Sequence, residues 1–241
     1  MKKIYPVYVF LVVVISFLVT VPFMYIFIHF KSARNINHWI YRTWGYLVYI
    51  FSFIPLKIER RFKPEKDKAY IYCANHTSYI DIPSIYCSIH SDISFIGKAS
   101  LGKAPLFGYI YSRIHILIDR KNRDSKQETV IRAKAALDNG VSVVIFPEGT
   151  IPKIGARPDM IEFKDGAFRM AIEKQIPVVP ISMPYNYYIF PDNGKLEANY
   201  HSCKVIIHEA IETKGMTFHD TNILKQKVFN IITNELNKHR I

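Results

Sequence analysis

The chain has 241 residues, 49% of them hydrophobic, with a mean hydropathy of +0.04 and a formal net charge of +12. That length supplies one well-packed domain and a short appendage, and three widely spaced cysteines, Cys73, Cys87 and Cys203, exclude a disulfide framework or a cysteine metal cluster. The basic balance suits nucleic acid, anionic lipid or phosphorylated substrates, but nucleic acid is set aside because there is no zinc-finger spacing, RNA-binding aromatic signature or interleaved basic and aromatic helix.

Ile4 to Phe30 carries no Asp, Glu, Lys or Arg. The run is longer than the apolar region of a secretory signal, no small-x-small cleavage site follows it, and it exceeds the roughly 20 residues that cross a bilayer core. Pro6 and Pro22 lie inside it, and Pro22 is expected to kink or end a helix. A second apolar stretch, Ile36–Ile54, carries Trp39, Tyr41, Trp44, Tyr46 and Tyr49 with Arg42 as its one charge, a composition suited to the boundary between water and headgroups. The pair reads as two spans, as one span plus an interfacial helix, or as a two-helix foot in one leaflet; a buried core hairpin is the bland alternative. Lys57, Arg60, Arg61, Lys63, Lys66 and Lys68 follow directly, a basic run placed to meet anionic headgroups or to serve as a solvated linker. Residues 1–56 are therefore assigned to membrane-anchoring helices and residues 57–241 to a globular domain. Positive charge flanks both ends of the first run (Lys2, Lys3; Lys31, Arg34) and does not set orientation, whereas the unpaired cysteines point the globular part to a reducing cytoplasm.

After Pro64 the chain alternates between two patterns. Tyr70–Ala74, Ile93–Ile96, Ile114–Ile118, Val141–Phe146 and Val178–Ile181 are short apolar runs of the buried-strand kind, and Lys204–Ile211 alternates like an edge strand. Between them, Ser125 and Glu128 fit a capping box for a helix that Gly140 ends. Gly166–Lys174 reads as a further helix, and Ile223–Asn237 is amphipathic through Leu224, Val228, Ile231, Ile232 and Leu236. The expected fold is α/β: a mixed, largely parallel sheet flanked by helices, preceded by an N-terminal membrane-associated helix pair.

Three strand ends are chemically loaded, where α/β sheets gather their sites. After Tyr70–Ala74 comes Asn75-His76-Thr77-Ser78-Tyr79-Ile80-Asp81. An aspartate that takes the Nδ1 proton of such a histidine leaves Nε2 free as a base; Ser78-x-x-Asp81 is equally a helix N-cap pattern. Ile114–Ile118 ends in Asp119-Arg120, offering a guanidinium shaped to grip phosphate or a surface ion pair. Val141–Phe146 runs into Pro147-Glu148-Gly149-Thr150, where Glu148 projects toward hydroxyls or a helix start and Gly149 permits a positive-φ turn.

Taken together and in this order, these blocks resemble the lysophosphatidic acid acyltransferases (1-acylglycerol-3-phosphate acyltransferases) within the glycerolipid acyltransferase group. Asn75, His76 and Asp81 match the family's NHxxxxD; Ile116–Arg120 matches its apolar strand with Asp-Arg; Phe146–Thr150 matches FPEGT; and Ile176–Pro180 matches its apolar-Pro-Val-x-Pro strand. Phe163-Lys164-Asp165-Gly166 is similar to the family's FKxG. The likeness covers Tyr70 to Met183. It implies an O-acyltransferase with His76 as general base and Asp81 as its orienter. It further implies Arg120 on the acceptor phosphate, Glu148 with Gly149 at the glycerol end, and Lys98 as an accessory cation. The implied reaction moves a fatty acyl group from acyl-CoA or acyl carrier protein to the sn-2 hydroxyl of 1-acylglycerol-3-phosphate, giving phosphatidic acid at the inner (cytoplasmic) membrane, with the catalytic domain facing the cytoplasm.

No cofactor is implied. No metal is implied either, since the nine histidines show no His-Glu-x-x-His spacing. Two positions depart from the family: Ile151 stands where an arginine follows FPEGT, with Lys153 or Arg157 as candidate replacements, and Ile114 stands where a small residue is usual. Both bear on the acceptor headgroup, which keeps another lyso-lipid (a lyso-aminolipid or lysophospholipid) as the alternative acceptor. A non-catalytic membrane-binding module is the remote alternative.

Overall fold

The structure is a computed structural model, and it describes residues 4–30, 33–66, 68–151 and 159–239. Two helices come first, α1 (Ile4–Phe27) and α2 (Arg34–Phe51), followed by β1 (Leu56–Arg60), β2 (Ile71–Ala74) and α3 (Asp81–Ser88). The chain continues through β3 (Ile93–Lys98), α4 (Phe107–Ile114), β4 (Ile116–Ile118), α5 (Arg123–Asp138), β5 (Ser142–Ile145) and α6 (Gly166–Lys174). It ends with β6 (Val178–Ser182), α7 (Asn186–Ile189), β7 (Cys203–Ile207) and α8 (Thr221–Lys238).

The strands form one sheet in the order β1-β7-β6-β2-β5-β3-β4. Every neighbouring pair is parallel except β6 and β7, so the sheet is mixed and largely parallel, as the alternation of elements predicts. Parallel strands need both faces covered, and the sequence supplies this with side chains of period 2. Tyr70, Tyr72 and Ala74 of the β2 segment, with Val144, Val179 and Ile181, enter the core beneath α1–α4. Ile71 and Cys73, with Val143 and Val178, enter the core beneath α5, α6 and α8.

Four local expectations are corrected. The strand expected at the edge over Lys204–Ile211 is β7, an interior strand; the edge is β1, in the basic run just after the apolar stretch. Its charges conceal the alternation of Leu56 and Ile58 and are what protects an edge strand from pairing with another chain. The run Ile114–Ile118 divides, its first residue closing α4 and only Ile116–Ile118 joining the sheet. The cap of α5 is Asn122, whose Oδ1 accepts from Asp124 and Ser125 N–H, while Ser125 Oγ accepts from Asp119 N–H. Pro22 lies inside α1 rather than ending it. The ring forfeits the bond to the Leu18 carbonyl, and two residues earlier the Thr20 hydroxyl bonds the Ser16 and Phe17 carbonyls.

Among the described helices, α1 alone is long and apolar enough to cross a membrane. Its inner face (Val9, Val21, Met24) is buried, while Leu11, Ile15, Val19 and Ile26 lie exposed on the outside. The α2 helix lies inside it and crosses α3 at Gly45. A Cβ at Gly45 would stand 2.8 Å from Cys87 Sγ and 2.9 Å from Pro83 O. In an open helix, replacing glycine gains roughly 0.5–1 kcal/mol, but here overpacking of about 1–3 kcal/mol prevails. Gly45→Val is therefore expected to lower the free energy of unfolding by about 1–2 kcal/mol, read from denaturant midpoints in neutral detergent.

Candidate active site

The C-terminal ends of β2, β3, β4 and β5 converge on one cavity. At the end of β2, Asn75 bridges to β6 in both directions: its Nδ2 donates to Met183 O (3.1 Å) and its Oδ1 accepts from Met183 N–H (2.8 Å). The bridge fixes the backbone just before His76. The imidazole then stacks on Phe146 at the end of β5, with ring centroids 4.0 Å apart and planes 17° apart, and its Nδ1 stands 2.7 Å from Asp81 Oδ2.

Asp81 is fully buried. Its Oδ2 also accepts the N–H groups of Thr77 (2.7 Å) and Ser78 (2.9 Å), and its Oδ1 accepts Asn186 Nδ2 (2.8 Å). An ionised carboxylate only accepts, so the shared proton is on His76 Nδ1 and Nε2 keeps its lone pair. The capping pattern resolves differently from its sequence form. Asp81 opens α3 and bonds amides upstream of it, and α3 has no side-chain cap. Ser78 Oγ donates to Phe190 O and accepts from Ile80 N–H.

The cavity holds about 610 Å³. His76, Lys98, Arg120, Gly149, Thr150 and Ile151 line its polar end, and α1 (Val13, Phe17), Trp44, Ile82, Phe95 and Phe107 wall the rest. Arg120 is half-buried and, among the described residues, has no ion-pair partner; burial lowers its pKa, yet a guanidinium keeps its proton. Asp119 turns away and accepts Lys121 N–H. Gly149 sits at φ +73°, a conformation that side chains rarely adopt, while the nearest neighbour of a Cβ there is the flexible end of Lys164 at 3.0 Å, so the glycine meets a conformational need.

Glu148 is held apart from these. It is 1% exposed and does not line the cavity. Its Oε1 accepts His76 N–H (3.0 Å) and its Oε2 accepts Ile161 N–H (3.3 Å). It braces the backbone of the histidine from behind. Lys153 and Arg157 fall outside the described residues.

An acyltransferase family profile matches residues 56–184. The 1-acyl-sn-glycerol-3-phosphate acyltransferase of Haemophilus influenzae is 31% identical over 218 residues, covering 87% of this chain and 85% of that protein. The chain belongs to the acyltransferase family. A chloroplast 1-acyl-sn-glycerol-3-phosphate acyltransferase of Arabidopsis thaliana is 30% identical over 192 residues, covering 79% of this chain and 52% of that protein. The chain thus spans about half the length of several of the curated relatives it matches. The crystal structure of the 1-acyl-sn-glycerophosphate acyltransferase of Thermotoga maritima shares the fold, with TM-score 0.81, 23% identity and coverage of 99% of this chain and 97% of that one.

Three parts of this candidate site have no counterpart in the sequence reading. Asn186, 105 residues beyond Asp81, reaches it from α7; the same Nδ2 also bonds Ser84 Oγ (3.0 Å), and Cys203 Sγ donates to its Oδ1 (3.2 Å). Phe146 supplies the ring on which His76 rests. The walls from α1 and α2 make the cavity a passage rather than an open cleft. No local pattern marks a contact made over such separations.

Glu148 gives the site a measurable signature. Burial raises its pKa to about 7, against the two backbone hydrogen bonds that lower it. The folded state therefore holds a proton that the unfolded chain releases near pH 4.5, so the stability contributed by Glu148 is full below that pH and is lost as pH rises toward 7. At 1.36 kcal/mol per unit, the fall is about 3 kcal/mol. In Glu148→Gln this downward slope should disappear, checked by denaturant unfolding at pH values from 4 to 8 referenced to wild type.

Proposed function

We propose that this chain transfers a fatty acyl group from acyl-CoA or acyl carrier protein to the sn-2 hydroxyl of 1-acylglycerol-3-phosphate, giving phosphatidic acid. The observation that carries the reading is the position of His76. Its free Nε2 faces the polar mouth of a passage whose remaining walls are apolar and lie under α1 and α2. A fatty chain fills such walls because each buried CH₂ contributes roughly 0.8 kcal/mol, and the cations at the mouth suit a phosphate.

In the proposed step, His76 Nε2 takes the proton of the acceptor hydroxyl as its oxygen attacks the thioester carbonyl. Asp81 stabilises the imidazolium that forms. The C–O bond forms, the C–S bond breaks, and the leaving thiolate takes the proton back from His76. Transfer is direct: Cys73 lies inside β2, fully buried, with its thiol pKa raised by burial, and Ser78 is engaged with Phe190 and Ile80, so neither is an activated nucleophile. No metal or cofactor enters the step.

The proposed location is the cytoplasmic face of a membrane, with the helix pair in one leaflet. Rings along α1 contact the rest of the chain throughout its length: Tyr8 with Phe53, Phe17 with Phe107, and Tyr25 with Tyr109. A helix held alongside the domain in this way lies in the interface more readily than across the bilayer. A second acceptor, another lyso-lipid, is favoured by one observation. Ile151, and not an arginine, lines the polar mouth beside Thr150.

His76→Ala should lower acyl transfer about 10²- to 10⁴-fold while folding and membrane association persist; near wild-type turnover in a purified-protein assay would refute the mechanism. Arg120→Ala should raise KM for a phosphate-bearing acceptor roughly 10-fold or more through loss of charge-assisted hydrogen bonds, with KM for the acyl donor little changed. Equal changes in both would count against a headgroup role. A panel of lyso-lipids in the same assay decides the acceptor.

A further inference from the structure

At the opposite end of the sheet from His76 lies a second cavity, of about 970 Å³, which shares no lining residue with the first. Its walls come from the start of α2, the loop after β1, and the turns that precede β3 and β5.

Its charge is uncompensated. Arg42 Nη2 and Arg60 Nη2 both stand 3.1 Å from one atom, His90 Nε2. A guanidinium only donates, so this nitrogen is an acceptor and the imidazole between the two arginines is neutral. Arg42 is 5% exposed; its other bonds go to Ile89 O and Tyr46 Oη, and among the described residues neither arginine has a carboxylate partner. A buried charge without a counter-charge is a costly arrangement. The acids on the wall are already engaged, Asp92 with Arg34 and Glu65 with Lys68. Lys63 and Lys66, also on the wall, are exposed and form no ion pair with a described residue.

A second observation is independent of charge. The Tyr72 side chain is wholly buried in the same wall. Its hydroxyl faces that of Ser91, and neither hydroxyl bonds any other described residue. Buried hydroxyls are ordinarily satisfied, and a tyrosine and a serine together offer donors to an incoming oxygen.

We propose that this cleft is a binding site for a phosphate group, held by Arg60, Lys63 and Lys66, with the Tyr72 and Ser91 hydroxyls as donors and Arg42 supplying charge from behind. The phosphate can arrive on an anionic lipid headgroup or free in solution. The setting favours the lipid: Trp39, 55% exposed, stands at the wall, and Phe30, 58% exposed, lies in the connection between α1 and α2. Such aromatics sit at headgroup depth. The inference does not depend on acyl transfer, because binding is read without turnover.

Trp39 and Trp44 are the only tryptophans, so Trp44→Phe leaves Trp39 as a reporter inside the cleft. The full chain with this change is titrated with pyrophosphate in neutral detergent, and with phosphatidylcholine vesicles with or without phosphatidylglycerol. The comparison is between Arg60→Gln/Lys63→Gln and a charge-matched control, Lys214→Gln/Lys227→Gln. Lys63→Gln/Lys66→Gln repeats the test without touching the bonds of Arg60. The expected result is a Trp39 response whose apparent affinity falls about tenfold in both cleft variants and is unchanged in the control. A response to phosphatidylglycerol vesicles alone identifies the lipid headgroup as the source, and a response to pyrophosphate identifies free phosphate. Absence of any Trp39 response, or equal loss in cleft and control variants, overturns the proposal.

Discussion

The 2.7 Å contact between His76 Nδ1 and Asp81 Oδ2 is the interaction around which the rest of the site is arranged. A carboxylate with no solvent exposure is tolerable only where its lone pairs are filled, and Asp81 accepts from four donors drawn from two stretches of chain: His76 Nδ1 with the amides of Thr77 and Ser78, and Asn186. Each donor adds a positional demand. The loop after β2 must curl so that two successive amides point inward, and α7 must start where Asn186 reaches Oδ1. The Asn75 bridge to Met183 ties that loop to β6, immediately ahead of α7. The dyad therefore requires the central strands in their observed order, and a slip of β6 against β2 would break both the bridge and the Asn186 contact.

The same frame separates polar from apolar surroundings. At the strand ends stand cations and the imidazole; a few residues inward the walls become aromatic and aliphatic. Glu148 illustrates the division. Its carboxyl lies behind the histidine, buried and braced by two amides, so it holds the loop rather than contributing charge to the cavity. Phe146, two residues earlier, gives His76 a flat apolar support. Support by stacking limits rotation of the ring without placing a second hydrogen bond on Nε2.

How much of this was legible in the sequence follows from the range of each contact. His76 and Asp81 are five residues apart, and Arg120, Glu148 and Gly149 sit at strand ends that the apolar runs mark, so these positions could be named. The buried orientation of Glu148 could not, because it depends on Ile161 and on the amide of a residue 72 positions earlier. Asn186 could not, since an isolated Tyr-Asn-Tyr segment carries no signal of its own. The largely parallel sheet was readable from its apolar runs, whereas β1 was hidden by the charges that suit it to an edge. Asn37, His38 and Arg42 are buried on the inner face of α2, a placement set by tertiary partners that hydropathy alone does not reveal.

Tautomer is what distinguishes the half-buried His76 from the buried histidines. His115 Nδ1 accepts Phe95 N–H, leaving its Nε2 proton for Tyr86 Oη. His38 gives its Nε2 proton to Ile89 O. His208 is the most instructive, because its Nε2 stands 2.8 Å from Ser182 Oγ and the pair resembles a nucleophile with its base. Its Nδ1, however, faces Arg61 Nη1 at 3.4 Å. An arginine can only donate, so His208 carries its proton on Nε2 and gives it to the serine, the reverse of what activation needs. Burial, and then the field of Arg61, lowers its pKa to about 4, so it is also a weak acceptor of a second proton. Only His76 among these has a carboxylate on Nδ1, which leaves the lone pair on Nε2 of a residue that lines the first cavity. What occupies Nδ1 therefore decides which histidine keeps its lone pair on Nε2, and at His76 that decision is made by Asp81.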